Sequence, residues 1–305
     1  MAEPRAARPW RIMLPLIAML VLFAAWSAYW WIADRYAEQI VAEQRLRLAA
    51  QGIALACGKE SWGGYPFRFE FDCASPRITV KDRAKLSAGH VLAVAQAYNP
   101  THLILLIDGP SAIEAPGQPP LAASHGRAIV SLRMIGRNNA ELSADIPDVR
   151  IADVASAADV QLFSRPGTAP ATFDIAARLK DARAALPGRP PIAADHAQAI
   201  ATIDGPLHAT IADISAEFGT ARIWAKGDAG LDAAHRPRGR LTVATNDLKG
   251  MMAILDPQLD LTDKQRAGLA MALAFLGKEA KTDIAAQDGE LRVGPLNLGP
   301  LAPLF

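Results

Sequence analysis

Ile12 to Ile32 reads IMLPLIAMLVLFAAWSAYWWI and contains no charged residue. At about 1.5 Å per residue, such a helix is roughly 31 Å long and matches the core of a bilayer. Pro15 falls in what would be its first turn, where a helix tolerates proline best. Arg5, Arg8 and Arg11 precede the run, Trp10 stands at its near end, and Trp26, Tyr29, Trp30 and Trp31 crowd its far end. Basic flank and aromatic belt predict a transmembrane helix over 12–32, with residues 1–11 in the cytoplasm. The rival is a cleaved signal peptide, for which Ala25-Trp26-Ser27 is the weak candidate site. Its apolar region would be shorter, and the bulky Tyr29-Trp30-Trp31 cluster favours an uncleaved anchor. Either reading sends the rest of the chain across the membrane. No second run of this length follows, so the prediction is a single-pass protein.

The anchor accounts for part of a 51% hydrophobic content in which aromatics are only 6% and alanine is abundant. Lys plus Arg is 32 and Asp plus Glu is 31, for a net charge of +1. That balance speaks against nucleic acid as a partner, because a nucleic-acid binder needs a concentrated basic face.

Residues 33–52 lack proline and are rich in helix formers, so the helix is expected to continue to a stop at Gly52. Ala37, Ile40, Val41, Gln44 and Leu48 would form its stripe, laid on the following domain or used as a stalk for dimer contacts. Beyond Gly52 the period changes to two. Phe67, Phe69, Phe71 and Cys73 alternate with Arg68, Glu70 and Asp72, the pattern of a half-buried strand. Further strands are expected within 103–107, 128–134, 172–179, 221–225, 240–244, 283–286 and 290–293, separated by Gly-, Pro- and Asp-rich turns. Asp247 should cap a short helix through Leu255, and Thr262 a second one running to about Leu276. The expected fold is mainly β (α+β): a transmembrane helix, then a curved antiparallel β-sheet domain over 53–305 with a helical hairpin in its C-terminal half. Ile107-Asp108-Gly109-Pro110 recurs as Ile203-Asp204-Gly205-Pro206, which raises the possibility of two repeated β-units, about 53–150 and 151–305.

The two cysteines, Cys57 and Cys73, bracket the sequence CGKESWGGYPFRFEFDC. Across a membrane a structural disulfide is the first reading, worth about 3 kcal/mol for a loop of this size. Free core thiols are the second. Redox or metal chemistry is the third, without CxxC spacing or a nearby histidine. Within the bracket, Gly63-Gly64-Tyr65-Pro66-Phe67 reads as a tight turn feeding a strand, or as an aromatic loop touching membrane or partner. Trp62, Tyr65, Phe67 and Phe69 are the candidate ligand or partner contacts. None of the six histidines makes a short metal spacing, and no nucleophile elbow or phosphate loop occurs. Asp145, Asp148 and Asp153 suit turns and solvated loops better than a catalytic pair. No catalytic residue, metal site or cofactor is assigned.

The arginine-bearing N-terminus, the single anchor, Cys57, Gly64-Tyr65-Pro66-Phe67-Arg68-Phe69 and Cys73 together resemble an uncharacterised alphaproteobacterial envelope family, the domain of unknown function numbered twenty-one twenty-five. The closing DGELRVGPLNLGPL, from Asp288, is similar to that family's ending. The strand-then-Gly-Pro ending also resembles envelope proteins of the AsmA type, which have repetitive β-sheets and handle lipid. These resemblances imply an inner-membrane protein with a periplasmic domain and carry over no catalytic residue. The expectation is a non-enzymatic protein that shelters lipid or another apolar envelope molecule. The alternatives are a scaffold or assembly factor for other envelope proteins, docking through the Trp62–Tyr65 loop and the outer helix, and a hydrolase with dispersed residues.

Overall fold

The computed structural model describes residues 10–136, 139–185, 188–205, 207–258, 279–287, 289–294 and 296–303. A single unbroken helix, α1 (Trp10–Ala50), holds both the apolar run and the segment expected beyond it. It is long and apolar enough to cross a membrane. The helix already includes Trp10 and Arg11, so Pro15 sits at least two residues deeper in it than the sequence reading placed it. Gly52 ends it with φ +82°, a conformation glycine adopts at little cost.

Twenty strands follow among the described residues. The first group is β1 (Ile53–Ala56), β2 (Lys59–Gly63), β3 (Arg68–Ala74), β4 (Arg77–Val80), β5 (Ala84–Ser87), β6 (His90–Gln96), β7 (Asn99–Asp108), β8 (Ser111–Glu114), β9 (Leu121–Ser124) and β10 (Ala128–Ile135). Longer strands come next: β11 (Asn139–Ile151), β12 (Ala155–Pro166), β13 (Phe173–Ala184), β14 (Ile192–Gly205), β15 (His208–Phe218), β16 (Ala221–Leu231) and β17 (Pro237–Thr245). The chain closes with β18 (Ala280–Gln287), β19 (Glu290–Val293) and β20 (Leu296–Pro300). All pairings are antiparallel. From β11 to β20 each strand pairs with its sequence neighbour.

The sheet forks at β11. The first part of β11 pairs with β10, which continues through β7, β6 and β3 to β2. Its last two residues pair with β9, which continues through β8, β5 and β4 to β1. Asp148, at φ +53°, lies between the two stretches.

Between β17 and β18 stands α2 (Leu248–Leu255), capped by Asp247, whose carboxylate accepts from the amide of Gly250. Met251 is buried on its inner side. Thr262 and the second helix expected there lie outside the described residues. The Asp108-Gly109-Pro110 stretch leads β7 into the second arm of the fork. Asp204-Gly205 ends β14 in a hairpin, so the two echoes occupy different connections.

The helix packs on the sheet through a stripe that shares Ala37 and Val41 with the one expected. Trp26, Trp30, Asp34, Ala37, Val41 and Arg45 face the domain, while Ile40, Gln44 and Leu48 stay exposed. The aromatic contacts at Trp26 and Trp30 set the face, and the polar Asp34 and Arg45 follow on the same side. Trp30, Phe69 and Ala97 form a buried cluster with Trp26 and Ala33 against it.

Pairing register keeps one face of the sheet apolar across twelve strands. Trp62 pairs with Phe71, and the file continues through Ala93, Leu105, Val130, Ala144, Leu162, Ala177, Ala199, Ile214, Ala225 and Val243. Directly paired residues point the same way, so these side chains share a face. One residue along, the file from β11 reads Asp145, Gln161, Arg178, Gln198, Ser215, and the face is polar. The apolar face is incompletely covered. Leu142, Leu162, Ile175 and Ile214 are among its exposed members. The chain exposes 20964 Å², against about 12,000 Å² for a compact monomer of this mass.

Candidate functional site: an apolar trough and an aromatic socket

Alanine makes the trough. Along β13 and β14 the apolar face carries Ala177, Ala182, Ala194, Ala197, Ala199 and Ala201, between ridges of larger residues on β12 and β15. Small side chains leave a channel where leucines would have filled it. A cavity of about 650 Å³ opens there, its floor and walls including Ile107, Val130, Ile146, Val160 and Leu179. A second hollow of about 230 Å³, with Leu142, Leu162, Ile175 and Ala199 around it, continues the same face toward the other end of the strands. The larger cavity has the size typical of small-molecule sites. Its polar rim includes Ser111, His125 and Arg183, and His125 Nε2 lies 2.8 Å from Ser111 Oγ.

The opposite face carries a charged hollow of about 700 Å³ near His102, Arg133, Glu141, Arg165 and Asp174. Several of its polar groups already have partners. Arg165 holds Asp174 at 3.2 Å, Thr202 donates to Asp174, and His102 lies 2.7 Å from Ser131 Oγ.

The second feature is the socket that receives α1. Trp26 Nε1 donates to the carbonyl of Pro66 at 2.9 Å, and Trp30 Nε1 to that of Arg68 at 2.8 Å. Tyr29 donates to the carbonyl of Ala97, and Ser27 Oγ lies 2.8 Å from Tyr65 Oη. Trp30 meets Tyr65 edge-on and stacks on Phe69, while Trp26 lies against Phe67. The candidate contacts therefore separate by place. Phe69 is buried, Tyr65 and Phe67 stand at the socket rim with exposed surface, and Trp62 packs on Phe71 in the apolar file.

Further up the helix, Arg45 bonds Glu60 at 2.8 Å and lies over the Phe71 ring. Beside them Cys57 and Cys73 form a disulfide, Cα–Cα 5.4 Å, with Cys73 fully buried. No free cysteine is present, which corrects the free-thiol alternative. Arg68 and Glu70, from the strand's wet face, pair with each other at 3.1 Å.

A polar cluster on the other face escaped the sequence reading. His90 Nε2 lies 2.8 Å from Asp72 and Nδ1 3.2 Å from Asp108, and Arg127 grips Asp108 with two bonds. Hydrogen bonding to Asp72 raises the His90 pKa, and bonding from Arg127 lowers that of Asp108. The signal was present only as phase. Asp72 alternates with Phe71 and Cys73, but His90 and Asp108 share their face with Leu92 and Leu106, on strands whose pairing was unknown. Asp145 likewise proves to neighbour Asp159, whose carboxyl is raised by burial and then by Asp145. Asp153 lies in the turn between β11 and β12. Among the described residues no group of His, Cys, Asp and Glu is arranged to hold a metal ion.

The model of the family described as an uncharacterized protein conserved in bacteria (DUF2125) matches residues 30–302, from Trp30 of the socket to the last strand and just beyond, and the chain belongs to that family. No curated protein and no solved structure matches the chain.

Proposed function

We propose that this member of the DUF2125 family is a non-enzymatic, single-pass protein of the bacterial inner membrane. In this reading its N-terminus is cytoplasmic and its sheet domain periplasmic, and the trough shelters the acyl part of a lipid or a similar apolar envelope molecule. The observation that carries the reading is the apolar file held in register from Trp62 to Val243, with an alanine-floored channel partly open to solvent. An open apolar face of this extent marks a binding surface. The disulfide agrees with an oxidising compartment. The AsmA-like ending of the chain points to the same class of ligand.

The test is mass spectrometry of the full chain, extracted and purified in mild detergent. The expected result is co-purifying lipid at a fixed ratio, lost when Val160 and Leu179 are changed to aspartate. Protein that carries no lipid and binds none when it is offered would overturn the reading. The scaffold alternative drew on the Trp62–Tyr65 loop and on the outer helix, where Ile40, Gln44 and Leu48 are exposed. Trp62 and Tyr65 both pack within the chain, which leaves less of that loop for another protein.

A further inference from the structure

The socket meets the helix too early for the domain to stand clear of a bilayer. From Ile12 to Ala25 there are about 14 residues, or about 21 Å of helix, before Trp26 makes the first bond to the domain. A bilayer core is about 30 Å thick and needs about 20 apolar residues. Counting from the start of α1 at Trp10 adds only about 3 Å. Tilting the helix shortens its reach and increases the deficit.

We infer that the bilayer takes up this deficit by receiving the socket rim. The turns at Tyr65–Phe67 and Ala97–Tyr98 sit in the membrane interface beside α1, and the end of the β10 hairpin arm at Met134–Ile135 adjoins them. The inference rests on the reading of α1 as an anchor.

Two observations agree with it. The rim presents apolar side chains outward: Phe67 is 61% exposed and Tyr98 69%. Met134 and Ile135 are exposed as well, and strand pairing places them at the same end of the sheet, through His102↔Arg133 on β7 and β10 and Ala95↔Leu103 on β6 and β7. The exposed Arg68 and Arg133 at this end each stand beside an acidic residue, Arg68 paired with Glu70 at 3.1 Å and Arg133 opposite Glu141 on the next strand. Second, the polar ends of the three aromatics seated in the socket are already satisfied. Trp26, Tyr29 and Trp30 donate to the carbonyls of Pro66, Ala97 and Arg68, so these groups enter the interface without unpaired donors or acceptors. The smaller hollow by Leu142, Leu162 and Ile175 opens toward this same end, so a lipid chain entering the trough would leave the bilayer at the place where the rim is seated.

The experiment uses the full chain in vesicles of neutral and anionic phospholipid. Both native cysteines are in the disulfide, so Tyr98→Cys, Ile135→Cys and Thr220→Cys each give one labelling site for an environment-sensitive dye. Thr220 lies in the turn between β15 and β16, at the opposite end of the strands. Lipids carrying a quencher near the headgroup should quench the dyes at 98 and 135 several-fold more than the dye at 220. Equal, weak quenching at all three sites in protein that resists alkaline extraction overturns the inference while sparing the anchor. Release of the protein by alkaline extraction overturns the anchor reading and this inference together.

Discussion

Trp30 stacks on Phe69, ring centroids 5.9 Å apart and planes 19° from parallel, and its indole N–H donates to the carbonyl of the residue just before Phe69. One side chain thus satisfies both the apolar and the polar demand of the helix–sheet joint. Trp30→Ala should cost about 3–5 kcal/mol by opening a cavity. Trp30→Phe keeps most of the packing and loses the donor, for about 1 kcal/mol. Denaturant unfolding in detergent, followed by the strand signal in circular dichroism, separates the two. Equal losses would show that packing is not the larger part.

The disulfide ties β3 to the segment that follows β1 across 16 positions. Cys73→Ser, or reduction of the wild type, should lower stability by about 3 kcal/mol. The same titration with and without reductant measures it, and a shift below a few tenths would contradict a stapling role.

His90 is held by Asp72 and Asp108, with Arg127 on the far side of Asp108. Its folded pKa is raised above 6.5. Stability from its charged form is therefore complete below 6.5 and lost as pH climbs through the raised value. Between about pH 6 and 8 the wild type should lose a small increment that His90→Gln does not lose, small because the group is near solvent. Asp108, lowered by Arg127, acts in the other direction. Its contribution is present above 3.8 and lost as pH falls below that. Parallel pH profiles for wild type and His90→Gln would remove His90 from the account.

Gly227 has φ +147°, and a Cβ there would lie 1.9 Å from the carbonyl oxygen of Arg240 on the neighbouring strand. Gly227→Ala should destabilise by about 1–3 kcal/mol through strain at this point. Gly63→Ala meets nothing within 4 Å and should stay within about 0.5 kcal/mol. Thermal melts of the two variants give the comparison.

The parts of the fold readable in advance were those set by local rules. Alternation from Phe67 to Cys73 placed β3 and its two faces, and Asp247 announced α2 by its capping chemistry. The socket was hidden because a membrane belt and a protein socket ask for the same side chains. Both favour Trp and Tyr, apolar bodies with one polar handle. The helix stripe was half right: Ala37 and Val41 face the domain, but the inner side continues through the polar Asp34 and Arg45, which a search for apolar periodicity passes over. The fork at β11 depends on two residue pairs, Arg150↔Ser124 and Ile151↔Ala123, that follow an irregular backbone at Asp148. The trough was visible only as alanine content. It took the register between β13 and β14 to show those alanines lining one channel.

The socket also orders events during synthesis. Tyr29 and the carbonyl it binds on Ala97 are 68 positions apart. The helix therefore leaves the ribosome before its receptor exists: Pro66, Arg68 and Phe69 come first, and the socket is complete only when Ala97 has followed β6. The long strands from β11 onward face no such wait, since each pairs with the strand made just before it. Translation thus meets its slowest closure first, and a hairpin-by-hairpin extension then follows on a base already set.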